Sequence, residues 1–175
     1  YLGHTMKIEF PGVIHCVHCD RLIKKAFAQG ACFPCFQRLA VCDRCFMKPS
    51  LCHYSEGTCR EPSWGEQHCM QDHILYLSLT SGVKVGLTRA TQIPTRWIDQ
   101  GAIAAIPVLQ LKTRYEAGLI EDIFAEYVVD KTNWRKMLKN DVPDADLVAE
   151  RDVLLEKTNV QRELIHQQFD HTYKD

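Results

Sequence analysis

Residues 73–89 read His73-Ile-Leu-Tyr76-Leu-Ser-Leu-Thr80-Ser81-Gly82-Val-Lys84-Val-Gly86-Leu-Thr-Arg89. Two β-branched and apolar runs flank Thr80-Ser81-Gly82, and Gly82 is free to take the positive φ that a tight turn needs. The stretch therefore predicts an antiparallel hairpin with Tyr76 in its first strand and Lys84 and Gly86 in its second. Downstream, Pro94-Thr-Arg96-Trp97-Ile-Asp99-Gln100-Gly101 predicts a short helix or turn that Gly101 ends. Ala102–Gln110 is a third apolar run. Pro107 cannot donate to a ladder, so this strand is expected at an edge or at a bulge. Arg114–Val129 has helical periodicity with Glu121 at its middle.

On that helix Ala117, Glu121 and Ala125 share one stripe at i, i+4, i+8, with Gly118 beside it. The larger Tyr115, Leu119, Ile123 and Tyr127 form a neighbouring stripe, which the periodicity assigns to the sheet-facing side. A carboxylate among small residues has room to reach a hard cation and its waters. Considered alone, Tyr76 reads as core, Gly86 as a bulge, Arg96 as a surface ion pair with Asp99, and Glu121 as a solvated side chain.

Taken together, a tyrosine in strand one, a glycine in strand two, an arginine some ten residues on and a glutamate in a later helix resemble the GIY-YIG nuclease superfamily. The resemblance implies a three-stranded antiparallel sheet flanked by helices. It also implies one magnesium or manganese ion on Glu121, Tyr76 orienting or activating water, and Lys84 and Arg96 holding phosphate. Arg89 is the rival to Arg96. The chain departs from the superfamily pattern at two places. Lys84 stands where the second family tyrosine is expected, and Asp99 and Gln100 stand where a histidine often follows the arginine. The chain also resembles a family of uncharacterised bacterial proteins that join a cysteine-rich front to a KVG(I/L)TR…RW(I/L)DQGA core. That resemblance spans most of the chain and implies no activity.

Ahead of the hairpin, all nine cysteines fall between Cys16 and Cys69. An odd number at two-residue spacings argues for metal ligation in a reducing cytoplasm rather than a disulfide framework. Cys16-x-x-Cys19 and Cys32-x-x-Cys35 form two knuckles whose four thiolates suit one tetrahedral zinc ion, with Gly30 and Pro34 suited to the tight turns. Cys42 and Cys45 offer half of a second site. Cys59 and Cys69 are the first choice for its other half, Cys52 competes with them, and His53, His68 and His73 are further candidates. A cross-braced pairing is equally compatible with the spacing. All-cysteine sites are closed, so these zinc ions are expected to be structural. His4, His15, His18, His166 and His171 are assigned to surface or packing roles, and Trp64 to packing the module on the next domain.

The 175 residues carry a net charge of −1, so no global basic field points to nucleic acid. The charge is uneven, because residues 141–175 hold 4 basic and 9 acidic side chains and mask a mildly basic body. No apolar run is long enough to span a bilayer and no signal peptide is read at the start, so a soluble cytoplasmic protein with no membrane partner is expected. The chain starts at Tyr1 rather than methionine, so it is expected to be a fragment or to lack a disordered or cleaved beginning. Leu2-Gly3 and Lys7–Phe10 read as strand material whose partner lies upstream.

Behind the core, Thr132 is the expected cap of a helix bearing Lys131, Arg135, Lys136 and Lys139. Asp144 is the expected cap of a last helix of roughly 25 residues. Its apolar residues Leu147, Val148, Leu154, Leu155, Leu164, Ile165 and Phe169 can pack on the body or pair with another chain.

The expected class is α+β in three parts: a zinc-binding module over 1–70, a GIY-YIG-like core over 71–140 and a helical extension over 141–175. The expected function is a metal-dependent phosphodiesterase acting on DNA or RNA. The alternative is a non-catalytic zinc-dependent scaffold that binds nucleic acid or a protein partner, or self-associates through the C-terminal helix.

Overall fold

A computed structural model describes residues 3–128, 133–139 and 141–158 of the chain. The fold is α+β, with a cysteine cluster at its front and a three-stranded antiparallel sheet at its centre. Residues 3–13 are exposed and pair with no strand among the described residues, so Lys7–Phe10 is not the strand its alternation suggested. The ladder is missing because Met6, Ile8 and Phe10 find no apolar face to cover.

The front holds the two-residue strands β1 (Ile14–His15) and β2 (Leu22–Ile23), then the short helices α1 (Phe33–Arg38), α2 (Arg44–Met47) and α3 (Pro62–His68). Between α2 and α3 the chain makes a 3-10 turn at Pro49–Leu51 and then runs as turns and loop.

The sheet comprises β3 (His73–Leu79), β4 (Val83–Arg89) and β5 (Ala104–Leu111) in the order β4-β3-β5. β3 is the central strand and every one of its residues is buried. Its turn is closed where Thr80 N donates to Gly82 O at 3.1 Å. Pro107 meets both conditions that proline imposes: β5 is an edge strand, and the β3–β5 register slips between Leu75 and Tyr76, opposite that proline. Helix α4 (Thr95–Asp99) sits between β4 and β5, and Gly101 follows it with φ +67°.

Helix α5 (Arg114–Phe124) opens with a full capping box, in which Thr113 Oγ1 accepts from Glu116 N and the Glu116 carboxylate accepts from Thr113 N. Its inward face corrects the sequence reading. Ala117, Gly118, Ile120 and Phe124 are buried, whereas Tyr115, Leu119, Ile123 and Tyr127 are 38–50% exposed. Periodicity separates the two stripes but does not rank them. The buried face joins Ala117, Ile120 and Phe124, which pack into the core, to Gly118, which seats the helix directly on Pro49–Leu51, where a Cβ would lie 2.6 Å from both Pro49 Cβ and Ser50 N. Ser50 Oγ donates to Asp122 Oδ2 at 2.6 Å, and Lys48 Nζ lies 3.3 Å from the same oxygen.

Helix α6 (Trp134–Leu138) is capped by Asn133, whose Oδ1 accepts from Lys136 N at 3.3 Å. Thr132, the cap expected from the sequence, lies outside the described residues together with Lys131. Helix α7 (Leu147–Thr158) is capped by Asp146 rather than Asp144, since Asp146 Oδ1 accepts from Val148 N and Ala149 N at 2.9 and 3.1 Å. Leu147, Leu154 and Leu155 join Leu75, Leu77, Leu79, Leu109 and Phe124 in one core, so this helix packs on the sheet. Leu164, Ile165 and Phe169 lie outside the described residues. No helix among the described residues is long and apolar enough to cross a membrane.

The close seat of α5 makes Gly118 sensitive. Alanine there gains about 1 kcal/mol of helix propensity but forces a shift of the Pro49–Ser50 backbone that costs about 1–3 kcal/mol. Gly118→Ala is expected to lower the denaturation midpoint with an unchanged denaturant slope, which equilibrium urea unfolding checks.

Candidate functional sites

Two constellations stand out, one of thiols at the front and one of polar side chains on the sheet. At the front, Cys16, Cys19, Cys32 and Cys35 bring their sulfur atoms within 4.8 Å of one another, and Cys19 Sγ lies 3.7 Å from Cys32 Sγ. A tetrahedron with 2.3 Å metal–sulfur arms has edges of about 3.8 Å, so the thiols stand at the spacing a bound ion requires. Each knuckle is shaped by its own backbone. Asp20, at φ 57°, closes the first with Asp20 N donating to Cys16 O at 2.8 Å. Pro34 opens α1 inside the second, and Phe36 N donates to Cys32 O at 2.8 Å. Val17 N donates to the carbonyl of Gly30, whose φ is +70°, and ties the two together at 3.1 Å.

The four thiols are electrostatically unequal. Burial pushes Cys16 up, but the backbone N–H groups of Cys32, His18 and Cys19 outweigh it and hold the thiol down at about 6. Cys32 N approaches Cys16 Sγ to 3.1 Å. Hydrogen bonding with the Cys32 thiol, then burial, push Cys35 up to about 12. Four thiols at this spacing form a site that could hold a metal ion such as zinc.

The remaining cysteines do not group as the spacing suggested. Cys42 is buried beside Cys16, Cys32 and Cys35, with its thiol directed at Ala28 O at 3.7 Å. Cys45, three residues on, lies with Asp43 and His53, their ligand atoms within 4.8 Å of one another. The two halves of this CxxC diverge because Cys42 ends one turn of chain and Asp43 opens α2. Cys69 ends α3, and Cys59 Sγ would lie 3.4 Å from a Cβ on Gly65 of that helix. Cys52 ends the Pro49–Leu51 turn. Among the described residues, Cys42, Cys45, Cys59 and Cys69 do not form one group at ligand spacing. His68 stacks on Trp64 at 4.2 Å and bonds its carbonyl, while Trp64 packs against Phe46 at 6.2 Å. His73 is buried in β3 against the Gln71 carbonyl.

On the sheet, four of the five residues singled out above come together. Leu75, Leu77 and Leu79 point into the apolar core, so Tyr76, between them, points to the other face. Tyr76 pairs with Gly86 in register, and a Cβ on Gly86 would lie 2.7 Å from the Tyr76 hydroxyl. Gly86 thus gives room to the phenol. The Tyr76 hydroxyl donates to Gln100 Oε1 at 2.7 Å, and Trp97 packs on its ring at 5.9 Å. Burial pushes the phenol up, Arg96 pulls it down through charge and a hydrogen bond, and the Glu121 carboxylate pushes it up again. Those influences put Arg96 of α4 at hydrogen-bonding range of the hydroxyl and Glu121 of α5 within electrostatic reach of it. Arg96 is exposed and Glu121 half-buried, so the constellation lies at the surface rather than in the core.

Lys84 lies on the same face of β4, two residues from Gly86 and opposite Ser78, and is 9% exposed. Arg89 ends β4 opposite His73, three register steps from the Tyr76–Gly86 pair, and is not among the groups that influence the phenol. Sequence reasoning missed Gln100 as the acceptor of the phenol. It also missed Trp97, whose Nε1 is buried without a hydrogen-bond partner among the described residues. Both were legible as neighbours of Arg96 on one short helix.

The chain belongs to a family described as "Protein of unknown function (DUF2797)", which matches residues 3–174. No curated protein and no solved structure matches the chain.

Two outcomes follow from this geometry. Gly86→Ala is expected to displace the Tyr76 ring and to cost about 1–3 kcal/mol, read as a lower urea midpoint. Chelation of the folded protein is expected to release metal and expose four thiols of the front cluster to a thiol reagent, with loss of ordered structure there.

Proposed function

We propose that this member of the family is a metal-dependent phosphodiesterase that cleaves DNA or RNA, with a core of the GIY-YIG kind. The observation that supports the reading is Tyr76 packed over Gly86 on an antiparallel three-stranded sheet, with Arg96 in hydrogen-bonding range of its hydroxyl and Glu121 within electrostatic reach. Phosphodiester cleavage needs a cation at the scissile phosphate, an oriented water and stabilisation of the leaving oxygen. Arg96 is exposed and its planar guanidinium suits a bidentate grip on phosphate. The unpartnered Trp97 Nε1 is a further donor on the same helix. Lys84 adds positive charge on the same face.

Tyr76 is held neutral by burial and gives its proton to Gln100. A phenol in that state orients water rather than deprotonating it. Glu121 suits a magnesium or manganese ion, because such ions bind through one or two carboxylates plus substrate phosphate oxygens. The fit rests on a half-buried carboxylate one turn from the fully buried Ala117 and within electrostatic reach of the phenol. When bound, the ion would polarise the phosphate. The tetracysteine cluster at the front is closed and is assigned a structural zinc.

Nucleic acid is favoured over a small phosphodiester by α6. Trp134 is 59% exposed with the Arg135 guanidinium over its ring at 4.8 Å, and Lys136 and Lys139 follow. An exposed aromatic among cations suits a stacked base and its backbone. Met137 packs directly on Gly101, which brings α6 to the end of the helix that carries Arg96.

The test is cleavage of labelled single-stranded, duplex and branched DNA and RNA with added magnesium or manganese. Wild type is expected to cut, Glu121→Ala and Arg96→Ala to lose at least about 100-fold in rate, and Tyr76→Phe to lose rate less steeply. Because Tyr76 stays protonated, Tyr76→Phe is expected to keep the wild-type pH profile between about pH 6 and 9. Absence of cleavage by wild type, or equal cleavage by Glu121→Ala with zinc content and folding intact, overturns the reading in favour of a zinc-dependent scaffold.

A further inference from the structure

We propose that Asp43, Cys45 and His53 form a second metal site, separate from the tetracysteine cluster, for a zinc-class divalent ion. The three bring a carboxylate oxygen, a thiol and an imidazole nitrogen within 4.8 Å of one another. Oxygen, nitrogen and sulfur donors in one set suit zinc, which accepts all three. None of the three is fully buried, so an ion can enter. The inference is independent of the reading of the sheet constellation.

The donors are held as ligands are held. His53 Nδ1 lies 2.7 Å from Thr58 Oγ1, whose hydroxyl also donates to His53 O at 3.2 Å. That contact leaves His53 Nε2 facing Asp43 Oδ2 at 3.5 Å, too long for an ordinary hydrogen bond. A ligating histidine has this pattern, one nitrogen fixed by a hydrogen-bonding partner and the other aimed at the ion. Asp43 is oriented by Arg60 Nε at 2.6 Å, and Arg60 Nη1 in turn donates to Phe36 O at 2.8 Å. Cys45 is fixed through its backbone, whose carbonyl accepts from Arg114 Nη1 at 3.1 Å.

The thiols of Cys52 and Cys69 lie within electrostatic reach of Cys45, and either can close a fourth coordination position. The segment also needs a staple. Between Leu51 and Arg60 no residue is buried, so no apolar core of its own orders this loop.

The experiment is elemental analysis of the full chain, produced with zinc and dialysed, beside single variants. Wild type is expected to hold two ions per chain. Cys45→Ser and His53→Ala are expected to hold one, and Cys42→Ser to keep two, since its thiol lies with the first cluster. One ion in wild type overturns the proposal. So does retention of two by His53→Ala together with loss of one by Cys59→Ser, which would give the second ion to an all-thiol site. Should the variants fail to fold, cobalt loading of wild type decides. Two centres of unequal thiolate absorption support the site, and a single all-thiolate centre, or two alike, overturns it.

Discussion

Arg114 is the joint on which the two halves of the molecule depend. Its guanidinium donates to the carbonyls of Cys45 and Phe46 at 3.1 and 2.6 Å, and its plane lies over the Phe46 ring at 5.2 Å. Its own backbone N–H donates to Cys69 O at 2.8 Å. One residue thus binds α2, the end of α3 and the start of α5. Charge-assisted bonds to carbonyls are among the stronger polar contacts a half-buried arginine can make. A lysine would lose the paired geometry and the ring contact.

Because Arg114 is the first residue of α5, the front of the chain helps to set where that helix lies. Ser50 and Lys48 hold Asp122 on its next turn, and Gly118 lets the Pro49–Ser50 backbone press against it. Glu121 sits between those two contacts. The cysteine-rich module therefore buttresses the helix that carries the carboxylate beside Tyr76. It does so without an extended apolar core, since its largest buried group is the cysteine cluster with Ala31. Its four-cysteine cluster could hold a metal ion, the kind of staple that small domains without a large core use.

The polar face of the sheet has a different logic. β3 is buried on both sides, yet Tyr76, Ser78 and Thr80 alternate with its leucines. Buried polar groups cost free energy unless they find partners. The phenol finds Gln100 and Arg96. Ser78 Oγ and Trp97 Nε1 find no hydrogen-bond partner among the described residues.

Local chemistry alone determined much of this protein. The turn at Thr80–Gly82, the edge position and bulge demanded by Pro107, the stop at Gly101 and the two knuckles at Cys16–Cys35 depend on residues a few positions apart. Short-range sterics and hydrogen bonding decide such features, and they are legible before any fold is known. The tertiary structure alone decided the rest. It chose the Ala117–Phe124 face of α5 over the Tyr115–Tyr127 stripe, because Ile120 and Phe124 enter the core and Gly118 allows close approach to Pro49–Ser50. It turned Cys42 toward the first cluster and Cys45 toward Asp43 and His53, because equal spacing in sequence does not fix which way two side chains point when a turn ends between them. And it brought Arg96 to the Tyr76 hydroxyl and Glu121 within electrostatic reach of it. That convergence depends on the strand order and on the seat of α5, both set by contacts between residues far apart in the chain.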